Sequence, residues 1–142
     1  MAYCTLAQLT ERYSERMLVD LSNREDAVAT EPDVALFDRV IADAGALIDG
    51  YLKRRYALPL AATPDLVRDL ALRISIHYAH AHVAAPKIKE DYEQALKTLR
   101  DIAAGLIVLD IEGGEPAPSG ASEVRTNEPE RPLSAATMKG YI

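Results

Sequence analysis

The sequence predicts an all-α fold: a small bundle of about five helices, three of them long, followed by an extended C-terminal arm. Apolar residues recur at intervals of three and four along three long stretches, which is the helical period. Aromatic residues make up only 6% of the chain, with no Trp and one Phe, so Leu, Ile, Val and Ala must form the core. Such a composition favours packed helices over a β-sandwich. We predict a helical domain over residues 1–109 and an arm over residues 110–142.

Two short helices are predicted at the N-terminus. Thr5 is a typical N-cap residue, and Leu6, Leu9 and Tyr13 follow it on one helical face. Ser14 can cap a second short helix that carries Met17, Leu18 and Leu21. The polar stretch over residues 22–31 is predicted to be a loop.

The first long helix is predicted to have Pro32 in its first turn, where the missing N–H costs nothing, and to run to Leu52. Gly45 and Gly50 lie inside it, and each costs about 1 kcal/mol relative to Ala. Two compensations are open: close approach by another helix, or a bend.

Two more long helices follow. Thr63 is predicted to cap the first of them, which is apolar nearly all round as far as Val83. Such a helix is either buried centrally or covered by a second subunit. Pro86 opens the last helix, Gly105 is predicted to end it, and residues 106–109 look extended and β-like.

From Asp110 onward the composition changes, because this segment holds half of the prolines and four of the seven glycines. A segment so poor in apolar residues cannot bury enough surface to become ordered by itself. We therefore expect a partner chain to hold the arm. Its expected anchors are the apolar residues near the end, which are Leu133, Met138, Tyr141 and Ile142.

The net charge of −6 argues against a broad face that grips nucleic acid, since that needs clustered Lys and Arg, but it permits DNA to slide past. Cys4 is the only cysteine, so no intramolecular disulfide is possible and a reducing compartment is expected. No apolar run approaches the roughly 20 residues needed to span a bilayer, and we expect neither a membrane partner nor a secretory signal.

Groups that could carry chemistry are few. His77 and His80 are neighbours on a helix and His82 turns away, but no Cys or carboxylate lies one turn from the pair. We therefore favour packing or interface histidines, with a metal-dependent enzyme as a competing class. Cys4 has no base near it in sequence and is predicted to be a small buried residue. We predict no catalytic residue, no cofactor and no metal, hence a protein that is not an enzyme.

The stretch over residues 48–60 holds the densest group of aromatic and cationic residues. One interpretation of Lys53 to Arg55 is a solvated helix end that complements the helix dipole. The other is a contact with a neighbouring subunit or with passing DNA, because Arg and Tyr are enriched at interfaces. We expect Lys53 to be exposed. The candidate interface residues here are Tyr51, Arg54 (exposed), Arg55 (structural or interfacial) and Tyr56.

The same stretch, IDGYLKRRYALPL, resembles the signature of the Mu-like phage head–tail connector (adaptor) proteins. Residues 3–13, 96–109 and 138–141 resemble the same family, in the expected order along nearly the whole chain. The resemblance implies a structural protein of the tailed-phage neck, present in the virion and in the host cytoplasm during assembly.

In that family a ring of identical subunits, usually twelve, docks beneath the portal protein and seats a head-closure (stopper) or tail-terminator protein. Double-stranded DNA passes non-specifically through the lumen. The alternative is a small helical binding module that docks a single protein partner. The mass of the native complex separates the two hypotheses.

Overall fold

The structure, a computed structural model, describes residues 2–25, 28–80 and 84–111. Within these ranges the chain forms five α-helices and no β-strand. The predicted all-α bundle with two short and three long helices is confirmed. The helices are α1 (Leu6–Tyr13), α2 (Glu15–Ser22), α3 (Val34–Leu52), α4 (Asp65–Ala79) and α5 (Pro86–Ala104).

The two predicted N-terminal caps are present. The Thr5 hydroxyl accepts the backbone N–H of Gln8 at 3.3 Å, and the Gln8 side chain accepts the backbone N–H of Thr5 at 3.0 Å, which is a capping box. Ser14, at φ 81°, ends α1 and starts α2, and its hydroxyl accepts the N–H of Met17 at 3.4 Å. One residue therefore sets the sharp corner between the two short helices.

Two side chains at the end of α2 close the connection between α2 and α3 by bonding to backbone groups near its other end. The Ser22 hydroxyl accepts the N–H of Asp33 at 2.9 Å, and the Asn23 amide donates to the carbonyl of Glu31 at 2.8 Å. Asp33 then caps α3, because its carboxylate accepts the N–H groups of Ala35 and Leu36. The prediction that Pro32 lies in the first turn is wrong: a carboxylate that satisfies two free N–H groups starts the helix later.

The two glycines of α3 have different surroundings. Gly45 is buried, whereas Gly50 is exposed and a Cβ added there would meet nothing within 4 Å. Close approach by another helix is therefore not the reason for Gly50.

Helix α4 is the central helix of the bundle. It contacts α3, α5 and α1, and eight of its fifteen residues are buried. The first of the two predicted explanations for its apolar surface, central burial, is confirmed. Its N-cap is Pro64 with no side-chain cap, so the prediction that Thr63 caps it is wrong by one residue. The helix ends at Ala79, and the predicted Val83 lies outside the described residues.

Helix α5 begins and ends as predicted, with Pro86 in its first turn and Gly105 as the left-handed residue that ends it. The segment after it, residues 106–111, is neither helix nor strand, and a bend at residues 106 and 107 stands where a β-like stretch over residues 106–109 was predicted. Its side chains alternate, since Leu109 and Ile111 are buried while Leu106 and Val108 are exposed. The core therefore continues through Ile111.

The first residues of the chain are part of the core. Tyr3 is buried, and its hydroxyl donates a hydrogen bond to Asp49 near the end of α3. Burial, together with that hydrogen bond, raises the pKa of Tyr3. Cys4 is buried as predicted, with its Sγ 3.7 Å from the Oγ of the buried Ser75, and burial raises the pKa of its thiol.

Candidate functional site

The turn that follows α3 separates its residues by depth. The backbone N–H groups of Arg55 and Tyr56 both donate to the carbonyl of Leu52, at 3.0 and 2.9 Å. This turn leaves Lys53 and Arg54 exposed, Arg55 half-buried and Tyr56 fully buried. The exposure predicted for Lys53 and Arg54 is therefore present. This one turn therefore carries two exposed cationic side chains, Lys53 and Arg54, followed by two side chains that pack inward, Arg55 and Tyr56.

Arg55 packs against the end of α5. A Cβ placed on Gly105 would lie 2.3 Å from the Arg55 Nη1 and 2.7 Å from its Cζ, so any side chain there would require the guanidinium to move. The positive charge therefore lies beside the C-terminal, negative end of the α5 dipole. The Arg55 Nε is buried and has no hydrogen-bond partner within the described ranges.

Tyr56 fixes the chain beyond α5. Its hydroxyl accepts the backbone N–H of Leu109 at 2.8 Å, and the Tyr56 side chain is only 3% exposed. In the isolated chain Tyr56 is thus an interior support that holds the segment of residues 106–111 in place. Its predicted contact with a partner stays a prediction.

The outer side of that segment is apolar and open. Leu106 is 77% exposed and Val108 is 64% exposed, the highest values for large hydrophobic residues beyond α3 in the described chain. Val108 also lines a surface groove with the start of α4, where Leu66 is 36% exposed. We call this groove, formed by residues 62–66 and 108–110, the exit groove, because the described residues end beside it at Ile111.

The histidines are packing residues where the structure describes them. The His77 ring stacks on Tyr92 with centroids 3.9 Å apart and planes 7° apart, which joins α4 to α5. Burial, and then the charge of His80, lowers the pKa of His77. The His80 Nδ1 lies 2.7 Å from the carbonyl oxygen of Ile76 in its own helix.

Two tyrosines pack together next to the His77–Tyr92 stack. The ring centroids of Tyr78 and Tyr92 are 5.9 Å apart. Burial, and then its hydrogen bond with Tyr92, raises the pKa of Tyr78 to about 12. His82 lies outside the described residues, and no group of three His, Cys, Asp or Glu side chains within them could hold a metal ion.

The remaining predicted interface residues have different outcomes. Tyr51 is half-buried and packs against the core. The arm anchors Leu133, Met138, Tyr141 and Ile142 lie outside the described residues.

Sequence reasoning missed the residues that support the exit groove. Neither the proximity of Arg55 to Gly105 nor the bond from Leu109 to Tyr56 has a local signal, because about 50 residues separate the partners. The alternating pattern of residues 106–111 was the one available indication that Val108 faces outward.

These features define a small all-α protein whose charged turn, buried tyrosine and exposed apolar edge meet where α3 and α5 end. No described helix is long and apolar enough to cross a membrane. The chain belongs to the bacteriophage Mu gp36 family, because the family model described as "Bacteriophage Mu, Gp36" matches residues 3–128. The predicted resemblance to a Mu-like phage family is thereby confirmed.

Two relatives match the chain from end to end. The chain is 27% identical over 142 residues to "Gene product J" of Escherichia phage Mu, covering 100% of both chains. It is 24% identical over 140 residues to "Mu-like prophage FluMu protein gp36" of Haemophilus influenzae, covering 99% of this chain and 98% of the relative.

Proposed function

We propose that this protein is a head–tail connector, or adaptor, of a tailed-phage neck. Copies of the chain form a ring, of twelve subunits as in the connector family it resembles, beneath the portal protein and join head to tail. The observation that carries the proposal is the family match over residues 3–128, together with full-length similarity to proteins of a phage and a prophage. The protein is then a virion component that is present in the host cytoplasm during assembly.

The body suits an assembly role. Its described core runs from Tyr3 to Ile111 and joins all five helices. The arm can then order on a partner, trading its conformational entropy for a large contact surface. In this role the protein binds other proteins and carries out no reaction.

The candidate interface residues have different roles in this proposal. Arg54 is exposed and can contact a subunit or the portal directly, with Tyr51 half-buried beside it. Arg55 and Tyr56 support that surface from inside through Gly105 and Leu109. The arm residues Leu133, Met138, Tyr141 and Ile142 anchor to neighbouring chains, which include the portal protein and a head-closure (stopper) or tail-terminator protein.

The charge of the chain suits a channel for DNA. A net charge of −6 makes the chain repel phosphates on average, so a lumen built from it would not retain a passing duplex. In this proposal double-stranded DNA passes through the lumen without binding specifically to it.

The test is to mix the purified full chain with the portal protein of its own phage and to measure the native mass. We expect a ring complex at least ten times heavier than the 15.5 kDa chain, visible as a closed ring by electron cryo-microscopy. A compact heterodimer with one partner chain would instead establish the alternative, a small binding module. A tight closed dimer with no affinity for the portal protein would contradict both hypotheses.

A further inference from the structure

The exit groove is an open apolar depression of about 760 Å³ at the edge of the bundle. Val108 forms one wall and is 64% exposed, and Leu66 forms the other and is 36% exposed. Covering these exposed aliphatic side chains would favour binding, because the removal of apolar surface from water lowers the free energy.

The walls of the groove are held in place from within. The buried Leu109 donates its N–H to Tyr56, and Ile111 is buried two residues further on. The other wall is formed by residues 62–64 of the connection before α4 and by Asp65 and Leu66, the first two residues of that helix. A groove with fixed walls does not have to become ordered when a partner binds, which favours affinity.

Two carboxylates lie at the rim of the groove. Asp65 lies on the α4 side, where its Oδ1 is 2.8 Å from the Nη1 of Arg68, and Asp110 lies on the side of the segment after α5. A peptide that fits the groove should therefore combine apolar side chains with positive charge and lack carboxylate side chains.

The last twelve residues of this chain have that chemistry. Residues 131–142 contain two cations, Arg131 and Lys139, and no acidic side chain. They also contain the four predicted anchors, Leu133, Met138, Tyr141 and Ile142. The preceding residues 112–130 are different, because they contain five glutamates and one arginine.

We infer that residues 131–142 dock into the exit groove of a second copy of this chain. This inference rests on the proposed function, because it supplies the contact between neighbouring subunits. The connecting residues 112–130 can span up to about 60 Å when extended, which is enough to reach a neighbour. Their net negative charge disfavours their own binding between Asp65 and Asp110, which leaves residues 131–142 as the part of the arm that suits the groove.

The direct test cross-links two differently labelled full-length chains, one carrying Val108→Cys and the other Met138→Cys. Under mild oxidation a mixed disulfide dimer is expected, identified by its mass. The control pairs Met138→Cys with Lys89→Cys, an exposed position near the start of α5, about 24 Å along the helix axis from Gly105. Native Cys4 is buried and is common to every chain. We expect about tenfold more mixed dimer with position 108, and equal yields would overturn the inference.

A matched pair of charge variants tests the same contact without cross-linking. Val108→Asp should weaken self-association by about tenfold, the effect expected for losing one buried aliphatic contact. Val34→Asp places the same change at a 55% exposed valine at the start of α3 and should alter association less than twofold. Sedimentation velocity over a concentration series gives both values. Equal effects of the two variants would contradict docking at the groove.

The source of the docked segment and the proposed function are tested separately. A chain carrying both Val108→Cys and Met138→Cys should form intermolecular disulfides whose yield rises with concentration. A yield of intermolecular disulfide that does not rise with concentration, because the bond forms within one chain at every concentration, would overturn docking on a second copy. If the Val108→Asp variant still forms portal-bound rings of wild-type affinity, the groove inference fails and the connector proposal stands. If mixed dimers form but the chain does not bind the portal protein, docking is supported and the connector proposal fails.

Discussion

The guanidinium of Arg55 occupies the space that a side chain on Gly105 would need. Its Nη1 lies 2.3 Å from the position of an added Cβ, and Gly105 itself has φ +84°. Glycine thus suits this position in two ways, because it adopts the left-handed backbone that ends α5 and because it lets the guanidinium lie where it does. Two parts of the chain that are 50 residues apart fix each other at this point.

Replacing Gly105 by alanine should destabilise the fold. The left-handed backbone costs an L-residue about 1–2 kcal/mol, and the new methyl group must also displace Arg55. We expect the free energy of unfolding to fall by at least about 1 kcal/mol, measured by urea denaturation of the purified chain.

Gly50 provides the matched control. It lies within α3, and an added Cβ meets nothing within 4 Å. Gly50→Ala should raise the free energy of unfolding by about 0.5–1 kcal/mol, since Ala is the better helix former. Equal effects of the two substitutions would show that the Arg55 contact and the positive φ at Gly105 have no energetic consequence.

Removing the Tyr56 hydroxyl should loosen the segment after α5. In Tyr56→Phe the buried N–H of Leu109 loses its acceptor, and an unsatisfied buried donor costs about 1–3 kcal/mol. We expect a loss of stability of that size and faster hydrogen exchange at the Leu109 amide, with little change in exchange within α4. Unchanged exchange at Leu109 would show that the hydrogen bond does not hold the segment.

The His77–Tyr92 stack predicts a pH dependence of stability. The pKa of His77 is lowered in the folded state by burial and by His80, so the unfolded chain binds a proton more readily. Stability should therefore fall as the pH drops below the ordinary histidine value of about 6.5, and should continue to fall until the folded-state pKa is reached.

His77→Phe keeps a ring that can stack on Tyr92 but removes the titrating group. Thermal unfolding between pH 5 and pH 8 should show a smaller loss of stability on acidification for this variant than for the wild-type chain. The difference in stability between the two proteins should be smallest at pH 8. An identical pH dependence would show that His77 does not contribute to it.

Deleting residues 127–142 tests the division between body and arm. All five described helices end by Ala104 and the described core ends at Ile111, so circular dichroism should show nearly unchanged helicity. The truncated chain should fail to attach to the portal protein or to tail components, measured by co-sedimentation. A collapse of the helical signal would place the arm in the core instead.

Local signals in the sequence were enough to predict the helices. Thr5, Ser14, Pro86 and Gly105 each act through backbone groups within a few residues, so their roles follow from residue type and position. The two misplaced helix starts also have local causes, because the Asp33 carboxylate takes over the capping near Pro32, and Pro64 occupies the cap position next to Thr63.

The candidate site was predicted less completely, because its contacts join distant parts of the chain. Arg55 and Tyr56 were identified by residue type, but their depth depends on Gly105 and Leu109, which pack onto them from another helix. The role of His77 likewise depends on Tyr92 in α5 rather than on its neighbour His80. Such pairings follow from the packing of α3, α4 and α5, which no short pattern specifies.

The hydrogen bonds of Tyr3 to Asp49 and of Leu109 to Tyr56 also affect how the body responds to a pulling force. Both ends of the body are fastened to the same short stretch of chain, residues 49–56. Tension applied to the arm would first shear the side chains of Leu109 and Ile111 out of the core and break the bond to Tyr56, before it could unwind α5. A subunit pulled by its arm would thus transmit the force to the end of its longest helices and keep its shape.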